Sequence, residues 1–481
     1  MKRAFLVGLA TGAALLVAAS RGVSVRAEDA SAKPPAFTCL NPPTIAPTLP
    51  ADSLLTEQPE VNCFAWQEFV ALNWRASSTD PGQPDTSVPA GQFGAPGDTT
   101  PVVWETYKEA SELFPPGGAV PAAWNAPQAA PLDCSKEGLV ARARAGYKVL
   151  ATTSKFAEEL AGRDVLDEVN QAGIEPPAWL TAQSGRNVYY EVRVNQDYFN
   201  YVVDPQNAFY DARNQWLATQ PGGQGINLPN RPSQYGSVGA IEIKAGWLEV
   251  ERSEYDQFLL ADAVLVEPGR PNKCRPAKVG LVGLHIIHKT QSMPNWTWAT
   301  FEHVKNAPDR VEVQAGRLHP PYTFYDPKCE PATAPQCQVN RKPQHGDPRD
   351  RPIQVVREVP LPGYVTRLNA AMHALIAQSN PRSVFRHYIL VNTMWPQSGV
   401  GFGVGAVTPL SQGGAAPTTG LANATAETYV QTTTCLDCHQ YATIACSSAS
   451  GADPATAADY TFQLSRASEP HRPAFCGAQG G

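Results

Sequence analysis

The chain has 481 residues and is 43% hydrophobic, which is enough to bury a sizeable core and suggests two or three domains. Its formal net charge of −6 disfavours nucleic acid or anionic lipid as the main partner. No GxSxG, Walker A or HExxH sequence occurs, which removes the common hydrolase and nucleotide-binding signatures.

The N-terminus has the pattern of a secretory signal peptide. Lys2 and Arg3 precede an apolar run of about 16 residues, which is short for a membrane span. Val25-Arg26-Ala27 then supplies small residues at the positions that a signal peptidase reads. We therefore expect residues 1–27 to be a signal peptide and the remainder to be exported to the periplasm without a membrane span. An uncleaved N-terminal anchor is the alternative.

The rest of the chain alternates between short helical and strand patterns separated by Pro- and Gly-rich loops. In chain order, the patterns predict helices at 63–74, 102–114 and part of 139–161, strands at 188–194, 198–203, 240–250, 258–266, 279–288 and 353–359, a helix at 367–378, a strand at 385–391 and a helix at 421–431. These elements predict an α+β fold with a β-rich antiparallel core and flanking helices.

The predicted strand 279–288 carries two histidines. Its run is apolar on both faces, which is typical of a buried strand. His285 and His288 lie three residues apart, so on a strand their side chains point to opposite faces and cannot chelate one metal together. His288 stands at the polar end of the run, where strands meet functional loops.

Aromatic and ionisable residues follow directly after this strand. Trp296 and Trp298 share a face, and Glu302 and His303 come next. Such a group could wall a cofactor pocket. Each residue also has a plain structural alternative, because a buried histidine is more often a hydrogen-bonded core residue than a ligand and tryptophans are ordinary core residues.

Cys435-Leu-Asp-Cys438-His439 is a CxxCH sequence, the attachment motif of c-type haem. Its two thiols form thioethers with the two vinyl groups of one porphyrin edge, and one helical turn gives the required spacing. His439 then ligates the iron as the proximal ligand. Composition alone would give roughly 0.004 such matches in the chain. A disulfide or a zinc half-site is the alternative, but zinc would need a second Cys or His pair at comparable spacing, and none lies near the motif.

Eight cysteines remain outside the motif, and an even number in an exported chain suggests disulfides. Sequence alone leaves the connectivity open. The pairs that we favour are Cys329 with Cys337, Cys446 with Cys476, Cys39 with Cys63 and, by elimination, Cys134 with Cys274.

The haem motif lies close to the end of the chain. Only 42 residues follow His439, and none of them is methionine. The haem must therefore pack against the large upstream domain, and a sixth iron ligand must come from upstream or from His471. The upstream candidates are His288, His303 and Met394. The predicted segments are a signal peptide at 1–27, a large β-rich domain at 28–420 and a C-terminal helical segment for haem c attachment, packed on that domain, at 421–481.

The chain resembles large exported bacterial proteins of the cytochrome c family. The resemblance is carried by Trp66–Trp74, Tyr190–Asn195, Gly283–Thr290, Thr300–His303 and the C-terminal CxxCH motif. It implies one haem c, attached through Cys435 and Cys438 and ligated by His439, and electron transfer as the general role. It carries over no substrate.

Two functions compete on this basis. The first is a periplasmic monohaem cytochrome that transfers electrons, because a haem with both axial positions filled exchanges electrons but does not readily bind a substrate. The second is a peroxidase- or oxygenase-like haem enzyme with an open distal site on the large domain, in which His288, His303 or Glu302 would act as acid or base. A structural haem in a binding protein is a third possibility. The redox partner or substrate stays open.

Overall fold

One mixed β-sheet forms the centre of the fold. The computed structural model describes residues 37–127, 137–144, 146–151, 179–267, 270–332, 334–344, 346–396, 421–439, 442–445 and 457–467. All of these residues belong to a single compact unit. Among the helices in these ranges, none combines the length and the hydropathy that crossing a membrane requires. The predicted signal peptide lies outside the described residues.

The regular elements are short, with two exceptions among the helices and one among the strands. The strands are β1 (Lys108–Glu109), β2 (Lys148–Leu150), β3 (Val188–Val194), β4 (Ile241–Glu249), β5 (Leu260–Glu267), β6 (Arg270–His288), β7 (Thr297–His303) and β8 (Tyr388–Met394). The α-helices are α1 (Gln58–Leu72), α2 (Ala110–Leu113), α3 (Glu137–Arg144), α4 (Gln196–Val203), α5 (Ala212–Thr219), α6 (Arg310–Gln314), α7 (Gly363–Ser379) and α8 (Cys435–His439). Short 3₁₀ helices lie at Ala90–Gln92, Val103–Thr106, Pro116–Gly118, Arg252–Glu254, Pro335–Cys337, Val384–His387 and Phe462–Arg466.

The sheet is organised by its longest strand, β6. Strand β4 pairs with one edge of β6, while the other edge pairs first with β5 and then with β7, to which β8 is added. The hydroxyl of Tyr388 bridges the point where β5 gives way to β7, because it donates to the carbonyl of Leu281 (2.8 Å) and accepts from the amide of Leu259 (3.0 Å). All pairings are antiparallel except that of β2 with β5, so the antiparallel core predicted from the sequence is a mixed sheet.

Both faces of the sheet are covered, which explains why all seven residues of β7 are buried. On one face, which we call the helix face, α1 packs through Trp66 and Phe69 against Phe301 of β7. Helix α7 supports α1 there, since Asn369 accepts a hydrogen bond from the indole of Trp66 (3.1 Å). The opposite face, which we call the cover face, meets residues near the C-terminus. The α+β class is thereby confirmed.

Several predicted elements are confirmed and others need correction. The confirmed ones are the strands at 188–194, 240–250, 258–266 and 279–288 and the helices at 63–74 and 367–378. The strand predicted at 385–391 begins as a 3₁₀ turn and continues as β8, and β7 was not predicted. The helix predicted at 102–114 is broken into a 3₁₀ turn, β1 and α2. The pattern at 139–161 contains α3 and β2, and its remainder from 152 lies outside the described residues.

The strand predicted at 198–203 is wrong, because the segment forms helix α4. Its aromatic and β-branched residues resemble a strand, but the side chain of Asn195 caps the helix by accepting a hydrogen bond from the amide of Tyr198 (3.1 Å). The same carboxamide oxygen also accepts from the amide of Ile241 (2.9 Å), so one side chain begins α4 and fixes the start of β4.

The elements predicted at 353–359 and 421–431 are also wrong. Residues 353–359 are extended but make only isolated bridges, at Gln354 and Arg357. Residues 421–431 form successive turns rather than a helix. The side chain of Asn423 accepts from both the amide and the hydroxyl of Thr425, which is the local competition that disfavours a helix.

Two of the predicted disulfides are present. Cys39 is bonded to Cys63 and Cys329 to Cys337. Cys274 is also disulfide-bonded. Its predicted partner Cys134 lies outside the described residues, as do Cys446 and Cys476.

Candidate functional site

The CxxCH motif forms the one-turn helix α8 within what we call the C-terminal segment, residues 421–439, 442–445 and 457–467. Cys435 and Cys438 are three residues apart in the sequence of this turn. The Nδ1 atom of His439 lies 2.8 Å from the carbonyl oxygen of Tyr460. Because a carbonyl only accepts, Nδ1 carries the proton, and in the neutral ring Nε2 then carries the lone pair that a metal ligand needs.

Aromatic residues surround the His439 imidazole. The ring of Trp298 lies 5.6 Å from it and that of Phe462 lies 5.0 Å from it, measured between centroids. Trp298 is only 1% exposed, and its indole Nε1 has no hydrogen-bond partner among the described residues. Since buried donors are normally satisfied, this N–H fits a site that receives a group with acceptor atoms.

The donor set therefore fits haem c. Cys435 is half-buried and packs against the edge of the hydrophobic core. His439 has the tautomer that iron ligation through Nε2 requires, and apolar rings flank it. Cys438 lies on the same helical turn, but its side chain is outside the described residues.

Polar contacts fasten the C-terminal segment to the cover face. Glu242 of β4 is buried and accepts hydrogen bonds from the side chains of Thr461 (2.7 Å) and Gln463 (3.1 Å). His285 of β6 lies 3.3 Å from Glu427. The segment therefore covers strands β4 and β6 through buried hydrogen bonds to Glu242 and through the contact between Glu427 and His285.

His288 lies on the helix face, so the predicted division of His285 and His288 between opposite faces is confirmed. Its Nδ1 atom is 2.5 Å from Glu68 of α1, and its Nε2 atom is 2.8 Å from the carbonyl oxygen of Val238. Burial lowers the pKa of His288, but the facing Glu68 carboxyl outweighs burial and raises it overall. Iron binding by His288 would require the loss of one of these two contacts.

His303 also lies on the helix face with both ring nitrogens occupied. Its Nε2 atom donates to the carbonyl of Gln257 (3.0 Å), and its Nδ1 atom accepts from the amide of Lys305 (3.2 Å). Burial, together with the nearby His387, lowers the pKa of His303 to about 3. His303 is therefore a neutral core residue at pH 7, stacked on Phe258 with ring centroids 4.0 Å apart.

Glu302 points to the cover face but is fully buried. Its carboxylate accepts from Arg357 and from the amide of Ala424 (3.1 Å). An arginine-bound carboxylate has its lone pairs engaged, which makes it a poor general base.

Of the three upstream candidates for the sixth ligand, Met394 lies on the same side of the sheet as His439; His471 lies outside the described residues. It pairs with Trp298 in the β7–β8 register, and directly paired residues share a face. Trp298 in turn contacts the His439 ring. Met394 is fully buried.

Comparisons with protein-family models, with curated proteins and with solved structures give no match for this chain. Within the described ranges, no group of three or more His, Cys, Asp or Glu side chains is arranged to hold a metal ion. A haem iron needs far fewer protein ligands than such a centre, since the porphyrin supplies four nitrogens.

The close approach of the C-terminal segment to β6 can be tested at Gly283. A Cβ atom added there would lie 2.2 Å from Oγ1 of Thr425 and 3.1 Å from Oδ1 of Asn423. We expect Gly283→Ala to lower the free energy of unfolding by about 1–3 kcal/mol, because the segment must move away. Urea denaturation measures the change.

Gly138→Ala is the matched control, because an added Cβ on exposed α3 meets nothing within 4 Å. We expect it to be neutral or to stabilise by up to about 1 kcal/mol. Equal effects of the two substitutions would contradict the contact between the segment and β6.

Proposed function

We propose that this protein is a monohaem c-type cytochrome that transfers electrons. In this proposal Cys435 and Cys438 attach the haem and Nε2 of His439 ligates its iron. The observation that carries the proposal is a CxxCH sequence on one helical turn, whose histidine is fixed through Nδ1 by a backbone carbonyl. When bound, the haem supplies the one-electron redox centre.

The chain's own residues would hold this centre in a defined state. The carbonyl of Tyr460 orients the His439 ring and increases the basicity of Nε2, as outer-shell acceptors do for ligating histidines. Trp298 and Phe462 shield part of the imidazole from water. An apolar, water-poor surrounding tunes the reduction potential of a haem.

Met394 is the sixth ligand that we propose. It lies on the cover face beside Trp298, whereas His288 and His303 lie on the other face with both ring nitrogens engaged. A thioether ligand raises the reduction potential relative to a second histidine. The same proposal includes export to the periplasm, because c-type haem is attached outside the cytoplasmic membrane in bacteria.

The experiment is to produce the full chain in a bacterial host with the haem c maturation system and to examine it on a denaturing gel and by absorption. We expect one haem that stays with the denatured polypeptide. The double variant Cys435→Ser, Cys438→Ser should lose it. The control Cys329→Ser, Cys337→Ser removes a disulfide far from the motif in sequence and should keep it. A wild-type chain without covalent haem would refute the proposal.

Binding of carbon monoxide to the ferrous haem distinguishes an electron carrier from a haem enzyme with an open distal site. We expect the ferrous protein to be low-spin and not to bind carbon monoxide, and Met394→Leu to open the iron to it. Met372→Leu is the matched control, since Met372 is equally buried but lies on α7. Carbon monoxide binding by the wild type would favour the peroxidase- or oxygenase-like alternative. An unchanged spectrum in Met394→Leu would exclude Met394 as ligand.

A further inference from the structure

We propose that Lys289 and Asp459 form a buried clamp that positions His439, so that both act as positioning residues for the iron. This inference rests on the proposed function and deepens it. The clamp consists of the ion pair between Lys289 Nζ and Asp459 Oδ2, at 2.5 Å, with both side chains fully buried. The two residues are 170 positions apart in the sequence.

The backbone at the clamp adopts an unfavourable conformation. Asp459 and Tyr460 have φ angles of +51° and +63°, which is the left-handed region that residues with a side chain seldom enter. Two consecutive residues of this kind persist only when their surroundings hold them. Tyr460 is the residue whose carbonyl accepts the proton of His439 Nδ1.

Asp459 is held from several directions. Its carboxylate accepts from Lys289 and from the amide of Leu228 (2.7 Å), and its carbonyl accepts from the indole of Trp296 (2.8 Å). Lys289 is itself oriented by Asn227, whose Oδ1 lies 2.5 Å from Nζ. Nearly every polar contact of this turn therefore comes from the large upstream domain.

The residue after the turn is also fixed. Thr461 donates to Glu242 (2.7 Å), and its hydroxyl lies 3.0 Å from that of Tyr198. The carbonyl of Tyr460 thus lies between the clamp on one side and the Thr461 anchor on the other. If the clamp is lost, Asp459 and Tyr460 can relax to negative φ, and the carbonyl turns away from His439.

A buried ion pair is not needed for stability alone, since apolar residues of similar size often serve as well or better. The ion pair instead fixes the orientation of the Asp459 side chain, because its Oδ2 atom must accept from both Lys289 Nζ and the Leu228 amide. The neighbouring residue His288 provides a comparison. It forms a buried pair with Glu68 on the other face of the sheet, with no described contact to the C-terminal segment.

The test measures the His439 ring rather than activity. Full-length protein labelled with ¹⁵N-histidine is prepared both with haem and in the haem-free form from cytoplasmic expression. We expect the Nδ1 proton of His439 to exchange about tenfold faster in Asp459→Asn, the factor that one lost hydrogen bond implies. In the haem form we also expect a higher reduction potential, because the imidazole becomes a weaker donor.

Two further variants separate positioning from folding. The double variant Lys289→Met, Asp459→Leu removes both charges. We expect it to be more stable than Asp459→Asn, but its His439 Nδ1 proton should still exchange faster than in the wild type. Glu68→Gln should destabilise the fold and leave His439 exchange unchanged. Unchanged exchange in Asp459→Asn and in the double variant would overturn the clamp. A wild-type chain without haem would instead defeat the proposed function, and the haem-free samples would still decide the clamp.

Discussion

Arg357→Met is expected to lower the free energy of unfolding by about 3–5 kcal/mol, the usual effect of removing one partner of a buried ion pair. The guanidinium of Arg357 bonds Glu302, through Nε at 3.0 Å and through Nη2, and also bonds Asp309. The Glu302 side chain is fully buried, so the substitution leaves a carboxylate without a cation in a place that water does not reach.

Arg275→Met is the control, because Arg275 makes a similar two-pronged pair with Glu249 but its side chain is 55% exposed. We expect that change to lower stability by at most about 1 kcal/mol. Urea titrations with equal m-values measure both effects. If Arg357→Met lowered the free energy of unfolding by no more than Arg275→Met does, Glu302 would have to be accessible to water.

Lowering the pH from 7 to 5 is expected to remove about 2 kcal/mol of stability through His303 alone. The unfolded pKa of histidine is about 6.5, while burial and His387 lower the folded pKa to about 3. Between these values only the unfolded chain binds the proton. The stability that His303 contributes is therefore present above pH 6.5, and it is lost progressively as the pH falls from 6.5 to 3.

The comparison that isolates this effect is the difference between wild type and His303→Gln. The amide can still donate to the carbonyl of Gln257 but does not titrate. We expect a shallower dependence of unfolding free energy on pH between 7 and 5 in the variant. His319→Gln, at an exposed position, should leave the slope unchanged. Identical slopes in all three proteins would show that His303 binds its proton as readily in the folded chain as in the unfolded one.

The carboxylate of Glu191 adds its share at lower pH. Burial opposes the ionisation of Glu191, but Arg193 and Lys148 outweigh it and lower its pKa to about 2. That stabilisation is present above about pH 4.5 and is lost as the pH falls to 2. The interval between pH 7 and 5 therefore lies above the range in which the Glu191 contribution is lost.

Local patterns account for the parts of the fold that were predicted correctly. Strand β3 is rich in β-branched and aromatic residues, and β4 carries Ile241, Ile243 and Trp247; this property needs no knowledge of partners. Helix α4 has a similar composition, and there the capping side chain of Asn195 decides the outcome. A cap depends on how the preceding strand ends, so composition alone could not reveal it.

The candidate site likewise has residues that the sequence could reveal and contacts that it could not. Cys435, Cys438 and His439 could be found from sequence because haem c attachment needs a fixed spacing along five residues. The opposite orientations of His285 and His288 follow from the two-residue period of a strand. What covers each face could not be derived, because Glu68 and Glu427 come from distant parts of the chain.

From the sequence alone we could predict a CxxCH motif suited to haem attachment, the α+β class and which side chains of a strand point the same way, since each depends on neighbours along the chain. The tertiary structure alone decided which buried groups meet. It paired Lys289 with Asp459, Arg357 with Glu302 and His439 with the Tyr460 carbonyl. A buried charge requires a partner, but only packing of the whole chain selects that partner.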